Sequence, residues 1–145
     1  MTMTGIEALD TTVHKTNEWL NDIKTGLGWE DRHRAYLALR TVLQTLRDRL
    51  VPDEAMNLSA QLPLLIRGIF FEGYRIAGKP DTEIDLPAFL SRVTEAFQRD
   101  PDIDAEQVVR GVFRVLSRRI PKGEIRDVRS QLPKSLQDLW GAAEM

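Results

Sequence analysis

The tetrapeptide Ala60-Gln61-Leu62-Pro63 recurs almost unchanged as Ser130-Gln131-Leu132-Pro133, seventy residues later. The same offset continues upstream without a gap, and nine positions between residues 35 and 63 are identical in the two copies. The upstream identities are Ala35 with Ala105, Arg40 with Arg110, Val42 with Val112, Leu46 with Leu116, Arg49 with Arg119 and Glu54 with Glu124. This agreement predicts a duplicated unit, around which the chain is organised.

Apolar residues recur at helical spacing in both copies, which predicts four helices in each. The second helix of each copy carries the clearest apolar face. Its members are Tyr36, Leu39, Val42, Leu43, Leu46 and Leu50 in the first copy, and Val109, Val112, Phe113, Leu116 and Ile120 in the second. We therefore predict an all-α fold of about eight helices without strand pairing. Two tandem four-helix repeats would pack as one pseudo-two-fold domain.

Turn-forming residues predict the boundaries. Residues 78–83 are rich in Gly, Pro and Asp and predict a linker between repeats at 10–76 and 80–143, within one domain covering residues 1–145. Pro63 and Pro133 suit the first turn of a fourth helix, because proline lacks an N–H and has a fixed φ. Asp85 and Asp104 are expected to cap helices.

The fourth helix differs between the copies. In the first copy it is apolar on most sides, whereas the second has Lys134 and Ser135 where the first has Leu64 and Leu65. A helix that is apolar all round is typical of a buried position. We therefore expect residues 63–76 to form the centre of the molecule and residues 133–142 to lie at its edge.

The composition limits the function classes. The 145 residues include no Cys, are 42% hydrophobic and 29% charged, and carry a net charge of −2. This is typical of an ordered globule and excludes disulfides and thiolate metal sites. The opening residues do not resemble a signal peptide, and no stretch approaches the roughly 18 apolar residues of a membrane helix. We expect a cytoplasmic protein that contacts no membrane.

Several short motifs together resemble a known family. They are Leu46-Arg47-Asp48-Arg49-Leu50, Glu54-Ala55, Ala60-Gln61-Leu62-Pro63 and Arg67-Gly68. The sequence is similar, from about Trp29 to Trp140, to the bacterial family catalogued as domain of unknown function 2267. The resemblance implies an all-helical cytoplasmic bacterial protein and implies no reaction. The second copy departs from the pattern, because Gln137-Asp138 replaces Arg67-Gly68.

The sequence offers no catalytic set. The only histidines, His14 and His33, fall on different predicted helices, so we expect them to be solvated rather than to bind a metal. The glycines are too widely spaced for a phosphate-binding loop, and the scattered Ser and Thr residues offer no candidate catalytic triad. We therefore predict no enzymatic activity, no catalytic residue, no metal site and no cofactor.

Polar residues recur at the joints between helices. Arg49 with Glu54, and Arg119 with Glu124, keep one spacing in both copies. They could form a paired ligand site, but a polar clamp that holds each helix joint is the favoured interpretation. Gln61 and Gln131 stand where the backbone breaks, and their amides are expected to satisfy unpaired backbone groups. We interpret these residues, with Pro63 and Pro133, as a structural repeat motif.

Charge is segregated in the second copy. Basic residues dominate residues 107–134, and Arg110, Arg114 and Arg118 step by four along one helix face. A solvated face partly neutralised by the acids upstream is one interpretation. The alternative is an exposed strip that binds an anionic partner. The first copy has Arg40, Gln44 and Asp48 at the same positions.

We predict a non-enzymatic interaction or regulatory module of the bacterial cytosol, with a protein partner that the sequence does not identify. The alternative is a small-ligand site between the repeats, near Phe70, Phe71, Tyr74 and Arg67. Nucleic-acid binding through the basic strip at 110–134 is a third hypothesis, which the absence of interleaved aromatics disfavours. The sequence leaves the oligomeric state open and is compatible with a homodimer.

Overall fold

The computed structural model describes residues 3–144, and side chains for residues 3–141. This part of the chain forms eight α-helices and no strand, so the all-α prediction is confirmed. The first half contains α1 (Glu7–Leu27), α2 (Arg32–Arg49), α3 (Pro52–Ser59) and α4 (Leu64–Phe71). The second half, from residue 78 onward, contains α5 (Leu86–Ala96), α6 (Ala105–Arg119), α7 (Lys122–Ser130) and α8 (Lys134–Glu144).

Local side-chain hydrogen bonds fix several helix starts. The side chain of Asp85 accepts a hydrogen bond from Ala88 N, and that of Asp104 accepts from Glu106 N and Gln107 N, as predicted. These bonds satisfy N–H groups that have no partner in the first turn of a helix. Pro52 stands at the start of α3, where the missing N–H costs nothing.

The two longest apolar faces meet at the centre. Helices α2 and α6 pack against each other, α1 and α5 pack against both, α4 packs on α2 and α8 packs on α6. The close approach of α1 to α6 depends on Gly111, because a Cβ there would lie 2.8 Å from Leu27 Cγ. Tyr36, which was assigned to the buried face of α2, is instead 40% exposed.

Contacts between the halves are both apolar and charged. One cluster of buried residues draws on helices from both halves. Among the residues with described side chains, Arg34 pairs with Asp100 at 2.9 Å and Arg92 with Asp48 at 3.0 Å across the halves. Arg119 also crosses, to Asp22 at 2.7 Å and to Glu18 at 3.5 Å. The predicted linker lies within a longer non-helical segment, residues 72–85, which Asp81 N ties to Asp48 O at 2.8 Å.

The expectation that residues 63–76 form the centre and residues 133–142 the edge is wrong. Helix α4 ends at Phe71 and buries only Ile66 and Phe70, while Leu64 and Leu65 are 53% and 42% exposed. In α8, Trp140 is 0% exposed and stacks on Phe113 with ring centroids 4.0 Å apart. Burial follows the place of the helix in the fold and not its apolar content.

Candidate functional site

A cavity of about 740 Å³ opens where α1, the Gln-Leu-Pro turn and α4 of the first half meet the end of α6. We call it the basic cavity, because four of its lining side chains are basic and one is acidic. It is lined by Lys15, Trp19, Asp22, Gln61, Leu62, Pro63, Leu64, Arg67, Arg118 and Arg119. Residues from both halves of the chain therefore contribute to one site.

Helical spacing brings the α1 residues to the cavity. Lys15, Trp19 and Asp22 are separated by four and three positions, so they share one face of the helix. Trp19 is buried at 3% exposure and, together with the buried Leu62, supplies an apolar surface in the lining. Arg118 and Arg119 come from the last turn of α6, where basic residues complement the helix dipole.

Backbone carbonyls hold Arg67 in place. Its Nε donates to Ser59 O at 3.0 Å and its Nη2 donates to Leu62 O at 3.1 Å, which orients the guanidinium across the turn. The residue seventy positions later, Gln137, makes the corresponding bond, because its Nε2 donates to Leu132 O at 2.8 Å. A neutral amide is therefore sufficient to tie this turn, and the positive charge of Arg67 is not needed for that purpose.

The cations of the cavity differ in how they are neutralised. Arg119 donates to Asp22 at 2.7 Å and lies 3.5 Å from Glu18. The hydrogen bond to Asp22 and the nearby negative charges raise the pKa of Arg119 above its ordinary value, against the lowering effect of burial. Within residues 3–141, Lys15, Arg67 and Arg118 form no salt bridge. Three of the four positive charges thus lack an acidic partner there.

The two repeat glutamines have different environments. Gln131 Oε1 accepts a hydrogen bond from Val51 N at 3.0 Å, which fulfils the prediction that an amide satisfies the backbone there. The position seventy residues after Val51 is Pro121, which has no N–H to donate. Gln61 therefore has no corresponding donor, and its exposed side chain lies in the basic cavity.

An apolar groove of about 620 Å³ adjoins the basic cavity. It is lined by Ile6, Glu7, Ala8, Thr11, Thr12, Lys15, Pro63 and Leu64. The last three of these residues also line the basic cavity. Thr12 Oγ1 accepts from Leu65 N at 2.9 Å, which holds the start of α4 against α1. Ile6 and Leu64 are more than half exposed, at 56% and 53%.

The predicted arginine strip is not uniformly exposed. Arg110 is half-buried and pairs with Glu106 at 2.6 Å, and Arg114 is also half-buried. Arg118 is exposed and lines the basic cavity. The structure therefore separates the strip and brings Arg118 together with Arg67, which the sequence had assigned to a different site.

The aromatic residues proposed as a ligand pocket pack on one another. Phe70 is fully buried, and the ring centroids of Phe70 and Phe71 lie 5.0 Å apart, those of Phe71 and Tyr74 5.6 Å apart. The Arg47 guanidinium lies 5.3 Å from the Tyr74 ring, and burial raises the pKa of the Tyr74 hydroxyl. None of the three aromatics lines either the basic cavity or the apolar groove.

The predicted clamp residues have other neighbours. Within the part of the chain that has described side chains, no salt bridge joins Arg49 to Glu54 or Arg119 to Glu124. Instead α3 packs on α7, and Glu54 meets Glu124 across the two halves. Burial raises the pKa of Glu124 to about 8, assisted by hydrogen bonding to Glu54 and the charges of Glu54 and Asp127. The structure thus pairs glutamate with glutamate.

A second cavity, of about 680 Å³, lies beside α7. It is lined by Ser117, Lys122, Ile125, Arg126, Arg129, Ser130 and Gln137. Lys122 and Arg126 are exposed on α7, and Arg129 Nη2 donates to Gln137 O at 3.4 Å. This cavity is also basic, and it provides a comparison for the site at α1.

Sequence reasoning missed the contribution of Lys15, Trp19 and Asp22. Their shared helix face was readable from the spacing, but nothing local indicated that it would meet Arg67 and Arg118. His14 pairs with Glu18, four residues later, at 3.3 Å on an exposed face. Among the described residues, no three His, Cys, Asp or Glu side chains come together as a metal site would require. None of the helices within residues 3–144 has the length and apolar character needed to cross a membrane.

The helices of residues 3–144 and their common core define an all-α protein with a basic cavity at its surface. The model of a protein family described as "Uncharacterized conserved protein (DUF2267)" matches residues 16–139. The chain therefore belongs to this family, and the resemblance noted from its motifs is confirmed. No curated protein matches the chain.

Proposed function

We propose that this protein is a non-enzymatic interaction module of the bacterial cytosol, and that it binds an acidic amphipathic helix of a partner protein in the apolar groove. The observation that carries the proposal is the exposure of Leu64, which lines the groove, and of its neighbour Leu65 at the start of α4. Seventy residues later the same exposed positions hold Lys134 and Ser135, as expected of a solvated helix face. The two leucines are therefore not required by the fold.

The chemistry of the partner follows from what surrounds the groove. Ile6, Pro63 and Leu64 provide apolar surface, and Lys15 joins the groove to the basic cavity. An amphipathic helix presents one apolar face with charged residues beside it, which matches a groove of this kind. Acidic flanking residues would be attracted by Lys15, Arg67 and Arg118, and such complementarity mainly accelerates association.

We further propose that the two halves are related by a pseudo-two-fold axis. The sequence offset of seventy residues supports this, as do the contacts of α4 on α2 and of α8 on α6. The contacts of α1 with α6 and of α5 with α2 are also those that such an axis would exchange. In this arrangement the groove is a feature of one half only, because Lys134 replaces Leu64 in the other.

The other hypotheses have less support. The aromatic site near Phe70, Phe71 and Tyr74 would need space between rings that pack on each other. Nucleic-acid binding through residues 110–134 would need an exposed row of cations, but Arg110 is half-buried and paired with Glu106. The groove at α4 combines exposed apolar surface with adjacent charge, and for that reason we favour it.

The test uses a synthetic amphipathic helical peptide with leucines on one face and glutamates on the other. Its binding is measured by fluorescence anisotropy and compared with that of a peptide carrying lysines in place of the glutamates. The glutamate peptide should bind more tightly, with an advantage that shrinks as salt screens the charges. The double variant Leu64→Lys, Leu65→Ser should weaken binding at least tenfold, since Leu64 lines the groove and a leucine that becomes buried contributes about 1.5–3 kcal/mol.

Met56→Lys is the matched control, because Met56 is 59% exposed on α3 and does not line the groove. It should leave peptide binding unchanged. Equal binding of the two peptides would refute the acidic partner, and an equal loss in both variants would refute the groove as the binding surface.

A further inference from the structure

We propose that the basic cavity binds a small organic anion that carries two or more negative charges on phosphate or carboxylate groups. This site adjoins the apolar groove and shares Lys15, Pro63 and Leu64 with it, but the binding of a small anion there requires no protein partner. Its volume of about 740 Å³ lies within the range of about 300–1,000 Å³ typical of small-molecule sites.

Unpaired positive charge is the first argument. Lys15, Arg67 and Arg118 reach one cavity without an acidic partner among the described residues. Like charges that are held close together repel one another, so their convergence is unfavourable unless an anion neutralises them. Asp22, the acidic residue of the lining, is already bonded to Arg119 at 2.7 Å. The charge available to a ligand is therefore positive.

The duplication supplies an internal control for the fold. Seventy positions away, Lys15 corresponds to Asp85, Arg67 to Gln137 and Arg118 to Asp48. Each of these counterparts is acidic or neutral, and Asp48 is ion-paired with Arg47 and Arg92. The other copy of the repeat therefore folds with no cation at the three equivalent positions. Their presence in the basic cavity is better explained by a ligand than by stability.

The hydrogen-bond donors of the cavity are partly pre-arranged. Two backbone carbonyls already orient the Arg67 guanidinium, so little further side-chain entropy is lost when it binds an oxyanion. The exposed amide of Gln61 adds a neutral donor, because Pro121 leaves it without the backbone partner that Gln131 has. Arginine forks bind phosphate and carboxylate oxygens in pairs, which favours these groups over a monovalent halide.

The lining also contains apolar surface. Trp19 and Leu62 are almost fully buried, and the atoms that they present to the cavity can contact a carbon skeleton next to the charged groups. A ligand with charged groups and a short organic part therefore fits better than a free inorganic ion. This is the reason for proposing an organic anion.

The experiment measures binding of inorganic pyrophosphate and of citrate to the full chain by isothermal titration calorimetry. Pyrophosphate represents phosphate groups and citrate represents carboxylates, so the tighter of the two assigns the chemistry. Arg67→Gln and Arg118→Gln should each weaken the tighter probe by about tenfold or more, because hydrogen bonds to charged groups are strong. Arg67→Gln copies Gln137, and so keeps the bond to Leu62 O and loses the one to Ser59 O; its Tm should fall only slightly while the anion affinity falls about tenfold.

Arg126→Gln is the matched control, since Arg126 lines the second cavity beside α7. This variant should bind the probes as the wild type does. Absence of binding by both probes at millimolar concentration would overturn the proposal. It would also be overturned if Arg126→Gln weakened binding as much as Arg67→Gln, since that result would indicate attraction by general surface charge. Loss of peptide binding with retained anion binding would refute only the function proposed for the groove.

Discussion

Helices α4 and α8 occupy corresponding places in the sequence repeat but differ strongly in composition. The first residues of α4 are Leu64 and Leu65, whereas α8 begins with Lys134 and Ser135. Burial nevertheless agrees at equivalent positions, because Ile66 and Phe70 are matched by Leu136 and Trp140. Leu62 and Leu132, two residues before the helices, are buried as well. The leucines of α4 are exposed where α8 has polar residues.

The comparison separates positions that fold the chain from positions that are free to vary. A helix packed on one side buries residues at spacings of three and four, whatever its other faces contain. In both halves that face is apolar and packs on the long central helix, α2 or α6. The difference between the starts of the two helices therefore falls at exposed positions, and Leu64 at one of them lines the proposed groove.

The largest expected effect tests whether the two helices are equally important for stability. Phe70 and Trp140 are both 0% exposed, so Phe70→Ala and Trp140→Ala should each cost about 3–5 kcal/mol of unfolding free energy. Urea denaturation of the two variants measures this. A Trp140→Ala loss below about 1 kcal/mol would mean that α8 is only loosely attached, and it would contradict the inference that α4 and α8 stabilise the fold equally.

A second test concerns how each helix is held at its far end. At the end of α4, the buried Arg47 donates from Nη1 to Phe70 O at 2.8 Å and to Glu72 O at 2.7 Å. Ser117 stands seventy positions after Arg47, and in α8 Trp140 Nε1 donates to its hydroxyl at 2.7 Å. Arg47→Met should cost about 3 kcal/mol, because charged hydrogen bonds are lost and carbonyls remain unsatisfied. Ser117→Ala should cost about 1 kcal/mol by the same urea assay. A larger loss in Ser117→Ala than in Arg47→Met would contradict the expectation that the contacts of Arg47 contribute more stability than the contact of Ser117.

A third test concerns Glu54 and Glu124, which are equivalent residues of the two halves and lie next to each other. The folded pKa of Glu124 is raised from 4.5 to about 8, so the folded state holds a proton that the unfolded state releases. The associated stability is fully present below pH 4.5 and is lost as the pH rises to about 8. Glu124→Gln should flatten this fall and stabilise the protein at pH 8, as measured by Tm across that range.

Asp127→Asn is the control for the third test, because Asp127 is exposed and contributes the smallest of the effects on Glu124. Its Tm profile should keep most of the wild-type slope. An unchanged slope in Glu124→Gln would show that the proton resides elsewhere. We expect this effect to be smaller than those of the buried truncations, since Glu124 is half-buried and solvent screens it.

The smallest expected effect comes from exchanging the residues that differ. Replacing Leu64 and Leu65 by Lys and Ser, or Lys134 and Ser135 by Leu, should change the unfolding free energy by no more than about 0.5 kcal/mol, because all four positions are exposed. Urea denaturation of the two double variants measures this. A loss of several kcal/mol on removing the leucines would mean that they stabilise the fold, and it would contradict the proposal that they serve binding.

Much of the secondary structure could be predicted from the sequence. Helical spacing of apolar residues predicted an all-α chain of about eight helices, and the caps at Asp85 and Asp104 form as expected. Such features depend on residues a few positions apart, whose chemistry is fixed wherever the segment lies. The degree of burial of α4 was predicted wrongly, since it depends on which faces the rest of the fold leaves uncovered.

By itself, then, the sequence determined the helices, the duplicated apolar faces and the family, because each rests on local spacing or on motifs. Only the tertiary structure decided which polar groups meet. It placed Gln131 against Val51, eighty residues away, paired Glu54 with Glu124, and gathered Lys15, Arg67 and Arg118 around one cavity. These partners lie on separate helices, and their proximity is set by how the apolar faces of those helices pack together.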